Sequence, residues 1–300
     1  GPKGQYRSGL VLYKFHNNKF DNMGRYYDVI RRSMNELEHR EVVGDSEADM
    51  HFYNHITNEE ERPGMIIVKP TAPTSKHFQM CKLGYANSSA ITFEDPCWWA
   101  FTKIQPGQWG KIEDMVKRRA NKWDDSILLK WRDSKGVRDN HILIIGQMPD
   151  DETVNGFGFG NHITKLEMIV EKLKDRNLVI KLHPRYKNPS LVKKWENAGH
   201  QVITGYKSIH SILPKTWVAI VDNSTAGIEC MMHDVPIISY GYPDYHWITK
   251  DLRSLTRLNN NIDNLRWFNK KQSREFLCWY VFNYLCTDIP TTTRRLKELL

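Results

Sequence analysis

Three short polar clusters in the C-terminal half combine residue types that bind anions. The first, Lys181-Leu182-His183-Pro184-Arg185, closes the apolar run Leu178–Leu182. Alternation along a strand points Lys181 and His183 the same way. Pro184 ends the strand and fixes the chain direction. His183 and Arg185 can then offer donors to a phosphate, the guanidinium to two oxygens at once. A simple turn would account for His-Pro alone, but the flanking Lys and Arg favour an anion site. The second cluster, Asp222-Asn223-Ser224-Thr225, follows Trp217–Val221 and runs into a helix beginning at Ala226. Ser224 and Thr225 suit a helix cap, and the free N–H groups and dipole of that point also suit a phosphate. Glu229 lies one turn further in, where an acidic residue can accept from ribose hydroxyls. The third cluster is Gly146-Gln147, after His141–Ile145. Ligands of open parallel sheets bind at the carboxyl ends of strands, so three such ends in one lobe are the strongest functional signal in the chain.

Other motifs say less. Gly156-Phe157-Gly158-Phe159-Gly160 can wrap a phosphate, but its spacing is not that of the dinucleotide fingerprint. His51 and His55 have a zinc-like spacing only on a helix, and their surroundings read as strand or loop. No Asp-x-Asp occurs, and the adjacent pairs Asp124-Asp125 and Asp150-Asp151 point apart. No metal is expected.

The elements that must carry these clusters follow from the apolar patterning. In the N-terminal part, strands are predicted at 10–15, 49–53, 65–68 and 88–93, with a helix over 24–38 whose Tyr27, Ile30, Met34 and Leu37 have helical spacing. Between 97 and 131 five tryptophans lie among charged residues. This segment reads as a connection between two lobes, its tryptophans packing the junction. A second α/β pattern follows: strands at 141–145, 178–182, 201–204, 217–221 and 235–240 alternate with helices at 164–173, 189–198 and 226–232. Such alternation requires crossovers and hence a parallel sheet. Residues 271–286 read as one long amphipathic helix. The fold class is α/β with two Rossmann-like lobes.

Composition limits the alternatives. The 300 residues are 40% hydrophobic and 26% charged, which is globular and excludes wholesale disorder. The net charge of +8 suits an anionic partner without choosing it. No nucleic-acid motif and no basic stripe interleaved with aromatics is present, so nucleic acid is not the expected partner. Five cysteines, an odd number with no C-x-x-C, fit a reducing, cytoplasmic setting. No transmembrane segment is expected: the densest apolar run, Phe276–Cys286, is too short and contains Asn283.

On 142–154 (ILIIGQMPDDETV), 181–185 (KLHPR) and 221–240 (VDNSTAGIECMMHDVPIISY), the chain resembles the nucleotide-sugar lobe of capsular-polysaccharide and Kdo-transferase-like glycosyltransferases. Residues 65–89 resemble their acceptor lobe. CDP-glycerol-dependent polymerases and nucleotide-sugar epimerases have related lobes, which leaves a phosphotransferase or an epimerase as alternatives. The resemblance implies a GT-B arrangement: an acceptor lobe at 1–120, a nucleotide-sugar lobe at 121–270, a donor cleft between them, and a C-terminal helix at 271–300 returning to the first lobe. It implies that His183, Arg185, Ser224 and Thr225 hold the donor's diphosphate, with Gln147 near the donor and Glu229 on the ribose; Lys181 and Asn223 complete the candidate donor-binding residues. Where the family's first lobe would carry an acidic residue, this chain has Cys81-Lys82, which argues against a Kdo donor and retaining chemistry. The whole chain is also similar to glycosyltransferases of large algal viruses, which implies UDP-xylose as donor, an N-glycan acceptor and the host cytoplasm. An inverting transfer needs a base for the acceptor hydroxyl. Asp95, in Phe93-Glu94-Asp95-Pro96, fits a strand end of the first lobe, with Asp21, His16 and Asp49 as rivals. No cofactor is expected.

Overall fold

The computed structural model describes residues 9–16, 23–54, 62–82, 103–123, 140–151, 154 and 161–300. The chain divides into two compact units. Unit 1 comprises 1–71, 76–94 and 281–300, and unit 2 comprises 72–75 and 95–280. The expectation placed the division near 120 and again near 271.

Unit 1 is a five-stranded sheet in the order β2-β1-β3-β4-β5, with β1 at Leu12–Phe15, β2 at Arg40–Glu41, β3 at Met50–Tyr53, β4 at Met65–Pro70 and β5 at Phe78–Lys82. The first four strands are parallel, and β5 runs antiparallel to β4 with Pro70 opposite Phe78. The helix Gly24–Glu36 buries Tyr26, Tyr27, Ile30 and Met34 against the sheet, the face its spacing predicts. The two-residue β2 and the returning β5 were not anticipated. The strand expected at 88–93 lies outside the described residues.

Unit 2 is a six-stranded, all-parallel sheet in the order β11-β10-β9-β6-β7-β8. Its strands are β6 His141–Ile145, β7 Leu178–Lys181, β8 Gln201–Ile203, β9 Thr216–Val221, β10 Ile237–Ser239 and β11 Lys250–Asp251. Read in chain order this is the 3-2-1-4-5-6 pattern of the dinucleotide-binding fold, with the change of direction between β6 and β9. All five residues of β6 are buried, as a central strand covered on both faces requires. The helices His162–Lys172, Pro189–Asn197 and Ala226–Met232 fall within two residues of expectation.

The C-terminal region corrects the expectation of one helix over 271–286. Helix Lys270–Trp279 loosens into a π turn at Tyr280–Tyr284. Cys286 then bridges Phe78 of β5, and a second helix runs from Ile289 to Leu299. Asp288 starts it: its carboxylate accepts from the Thr291 N–H while the Thr291 hydroxyl reciprocates, with a proline in the first turn. The buried Arg295 ties this last helix to β5 within unit 1. Its Nε and Nη2 donate to the Met80 carbonyl at 3.2 and 3.0 Å, and Nη1 donates to Glu298 at 2.9 Å. Its guanidinium also lies 4.8 Å from the centre of the Tyr284 ring. Arg295→Leu would leave a buried carbonyl unsatisfied. We expect it to destabilise the protein by about 2 kcal/mol, read by urea unfolding; an unchanged midpoint would show the tie to be idle.

Candidate functional site

The ends of β6, β7 and β9 converge on one cavity. After β7 the chain turns at Pro184, with the Tyr186 N–H bonded to the His183 carbonyl at 3.0 Å. After β9, Asp222 and Asn223 lead into Ser224 and Thr225. The Ser224 hydroxyl accepts from the Ala226 N–H at 3.1 Å and so closes the turn before the helix, whose N-cap residue is Thr225. Tyr245, almost fully buried, donates to the Ser224 carbonyl at 2.5 Å. Gly227 makes this possible, since a Cβ there would sit 2.2 Å from the tyrosine ring.

Lys181, His183, Ser224, Thr225 and Glu229 line one cavity in unit 2, together with Lys122 and Lys207. Its inner space measures about 60 Å³. Gln147 and Asn223 clamp each other beside it: Gln147 Nε2 donates to Asn223 Oδ1 at 2.8 Å, and the Asn223 N–H donates to Gln147 Oε1 at 3.0 Å. This pair bridges β6 and β9, the point where strand order reverses. Arg185 is exposed and lies with its guanidinium 4.8 Å from the Trp123 ring centre.

Several groups were not foreseen. His162 accepts from the Gln147 N–H at its Nε2 (2.9 Å), so its Nδ1 carries the proton and donates to the buried Asp222 at 3.0 Å. Asn121 donates to Glu229 at 3.2 Å, and Lys122 reaches the Thr225 hydroxyl at 3.2 Å. His210 holds the Ala120 carbonyl at 2.9 Å and stands 3.6 Å from Glu229. Trp123 packs edge-on against His183 at 5.3 Å and takes Lys122 against its ring. The only advance signal for this segment was its mixture of tryptophan and charge.

The electrostatics are those of a cation cluster around a buried acid. His183 accepts from the Arg185 N–H at Nδ1 (3.1 Å), which leaves Nε2–H as its donor. Burial pushes its pKa down to about 4, and Lys122, Lys181 and Arg185 push the same way. The ring is therefore a neutral donor at pH 7. Burial also lowers Lys181, with Glu229 opposing. Glu229 is raised to about 7 by burial, against the pull of Lys181, Lys122 and Asn121.

In unit 1, Asp49 is engaged by the backbone: it accepts from the Leu12 N–H at 3.0 Å. His16 follows β1, stacks on Tyr53 at 3.9 Å and shares a hydrogen bond with His51 at 2.9 Å. Burial lowers it to about 4. His16, Asp45 and His51 each offer a metal-ligand atom within 4.8 Å of the others, but Lys14 and Arg62 already pair with Asp45 at 2.5 and 3.2 Å. This reads as an ion-pair cluster. Asp95, Asp21, His55 and the glycine loop 156–160 lie outside the described residues.

Two α/β units with a basic cavity at strand ends form a glycosyltransferase fold of the GT-B type. Residues 103–275 match the family model "Capsule polysaccharide biosynthesis protein", and the chain belongs to that family. The solved structure of a β-Kdo 2,7-transferase, KpsC from Thermosulfurimonas dismutans, is similar with a TM-score of 0.56 at 12% identity, covering 96% of this chain and 99% of that one. A KpsC β-Kdo 2,4-transferase from the same organism gives 0.55 at 12% identity, over 90% and 89%. At that identity the likeness speaks for the fold alone. No curated protein matches the chain in sequence. Among the described residues no helix is long and apolar enough to cross a membrane.

The sign of one pH effect follows from the cavity. Among the described residues, Glu229 is the one carboxylate lining it. Since its folded pKa stands near 7, above the ordinary 4.5, it gains a proton as pH falls through about 7 and the cavity becomes more positive. Pyrophosphate affinity should rise several-fold more between pH 8 and 6 in the wild type than in Glu229→Gln. Calorimetric titration of both proteins reads that difference, and parallel pH profiles would contradict it.

Proposed function

We propose that the protein transfers a sugar from a nucleoside-diphosphate donor, bound by unit 2, to a hydroxyl of a glycan bound by unit 1. The observation that carries this reading is the shared cavity of Lys181, His183, Ser224 and Thr225 at the carboxyl ends of β7 and β9. A departing diphosphate needs preorganised donors and positive charge. The neutral His183 supplies a donor without losing a proton, and Lys122, Lys181 and Lys207 supply charge. With those cations in place, the phosphates have protein partners of the kind a metal would otherwise provide. Glu229 accepts from the donor's ribose hydroxyls, Gln147 and Asn223 orient the donor beside the phosphates, and Arg185 closes over it from Trp123.

Within this reading the donor is UDP-linked, with xylose as the sugar, and the transfer inverts the anomeric centre. Asp95 then takes the proton of the attacking hydroxyl as the C–O bond to the diphosphate breaks and the new glycosidic bond forms.

Three outcomes test the proposal. UDP should raise the thermal midpoint of the wild type, and His183→Ala should weaken UDP binding by about tenfold, the value of a hydrogen bond to a charged group; no stabilisation by UDP or any nucleotide sugar would contradict the reading. Asp95→Asn should abolish transfer while UDP still binds. Wild-type turnover in that variant would remove Asp95 from the mechanism.

A further inference from the structure

Unit 1 contains a groove of about 590 Å³ between the first turns of helix Gly24–Glu36, the start of β5 and the segment 287–290. Its size falls within the roughly 300–1,000 Å³ of small-molecule sites. Its position is also that of a ligand site. The helix leaves the carboxyl end of β1, Phe78 pairs with Pro70 at the carboxyl end of β4, and Cys286 bridges Phe78. The groove thus opens at the end of the sheet where open α/β folds bind ligands.

The lining is apolar below and basic above. Tyr26 and Phe78, edge to face at 5.4 Å, form the floor, and Arg25, Arg32 and Lys76 stand around it. The two acids present are occupied. Asp28 accepts from Arg31 at 2.7 Å, and Asp288 caps the last helix through Thr291. Arg25 lies over the Tyr26 ring and donates to its hydroxyl at 2.7 Å. Neither Arg25 nor Arg32 has a carboxylate partner among the described residues. They lie seven positions apart on one helix face, two turns or about 10 Å along the axis, a span comparable to two linked pyranose rings.

We propose that this groove binds a carboxylate-bearing saccharide and so makes acidic glycans the acceptor class. Guanidinium forks pair with carboxylates, and two of them about 10 Å apart along the helix match acid groups carried on neighbouring sugar rings. The inference rests on the reading of unit 1 as the acceptor-binding unit. A nucleic acid is the less suitable occupant, because the aromatic floor is nearly fully buried and offers no stacking face of its own.

The test titrates the full chain with trigalacturonate, with its neutral methyl ester and with a single-stranded oligothymidylate. Trigalacturonate should bind at least about tenfold more tightly than the ester, and the double variant Arg25→Ser/Arg32→Ser should lose that preference while keeping its stabilisation by UDP. Equal binding of acid and ester, an unchanged preference in the variant, or tighter binding of the oligonucleotide would overturn the proposal. Loss of the UDP response in the wild type would instead count against the donor reading of unit 2, and the saccharide titration would still report on the groove.

Discussion

A buried carboxylate among cations is the constraint around which unit 2's site is built. Glu229 sits on the helix after β9 with almost no exposed surface. An ionised acid in that position must be paired and hydrogen-bonded or give up its charge. Asn121 supplies a hydrogen bond, Lys181 and Lys122 supply charge, and His210 stands close by while anchoring the backbone that presents Asn121. Satisfying one acid has therefore gathered more positive charge than the acid can neutralise. The surplus faces a cavity that also holds His183 and the Ser224–Thr225 turn. Such an arrangement is poorly balanced when empty and well balanced around an anion.

The rest of the unit keeps that arrangement in register. The strand order reverses between β6 and β9, so the chain leaving each strand diverges and a crevice opens at their carboxyl ends. The Gln147–Asn223 clamp spans that crevice, and His162 fixes it by joining the Gln147 backbone to the buried Asp222. Close approaches fix the neighbouring turn. Gly227 leaves room for Tyr245 under Ser224, and Gly241 leaves room for Asp222, whose carboxylate oxygen a Cβ there would meet at 2.0 Å.

The unit 2 framework was largely legible in the sequence because a fully covered parallel sheet writes each strand as an unbroken apolar run, as His141–Ile145 and Trp217–Val221 show. The polar residues ending those runs stood out for the same reason. What escaped was contact made at long range. Asn121 and Lys122 reach residues more than a hundred positions away, and no periodicity announces such a meeting. Local chemistry was also outweighed by pattern. The apolar run through Cys286 looked like one continuous helix, although Asp288, Pro290 and Thr291 already spelled a fresh helix start. In unit 1 the antiparallel β5 went unpredicted because Gln79 and Lys82 leave Phe78–Lys82 with only a short, interrupted apolar run.

The central claim is that a diphosphate occupies the cavity of Lys181, His183 and Thr225. A crystal structure of the full chain with UDP measures this most directly. The account requires the diphosphate oxygens within hydrogen-bonding distance of His183 Nε2 and the Ser224–Thr225 turn, with the ribose beside Glu229. Density for UDP at another site, with this cavity holding only solvent, would contradict it.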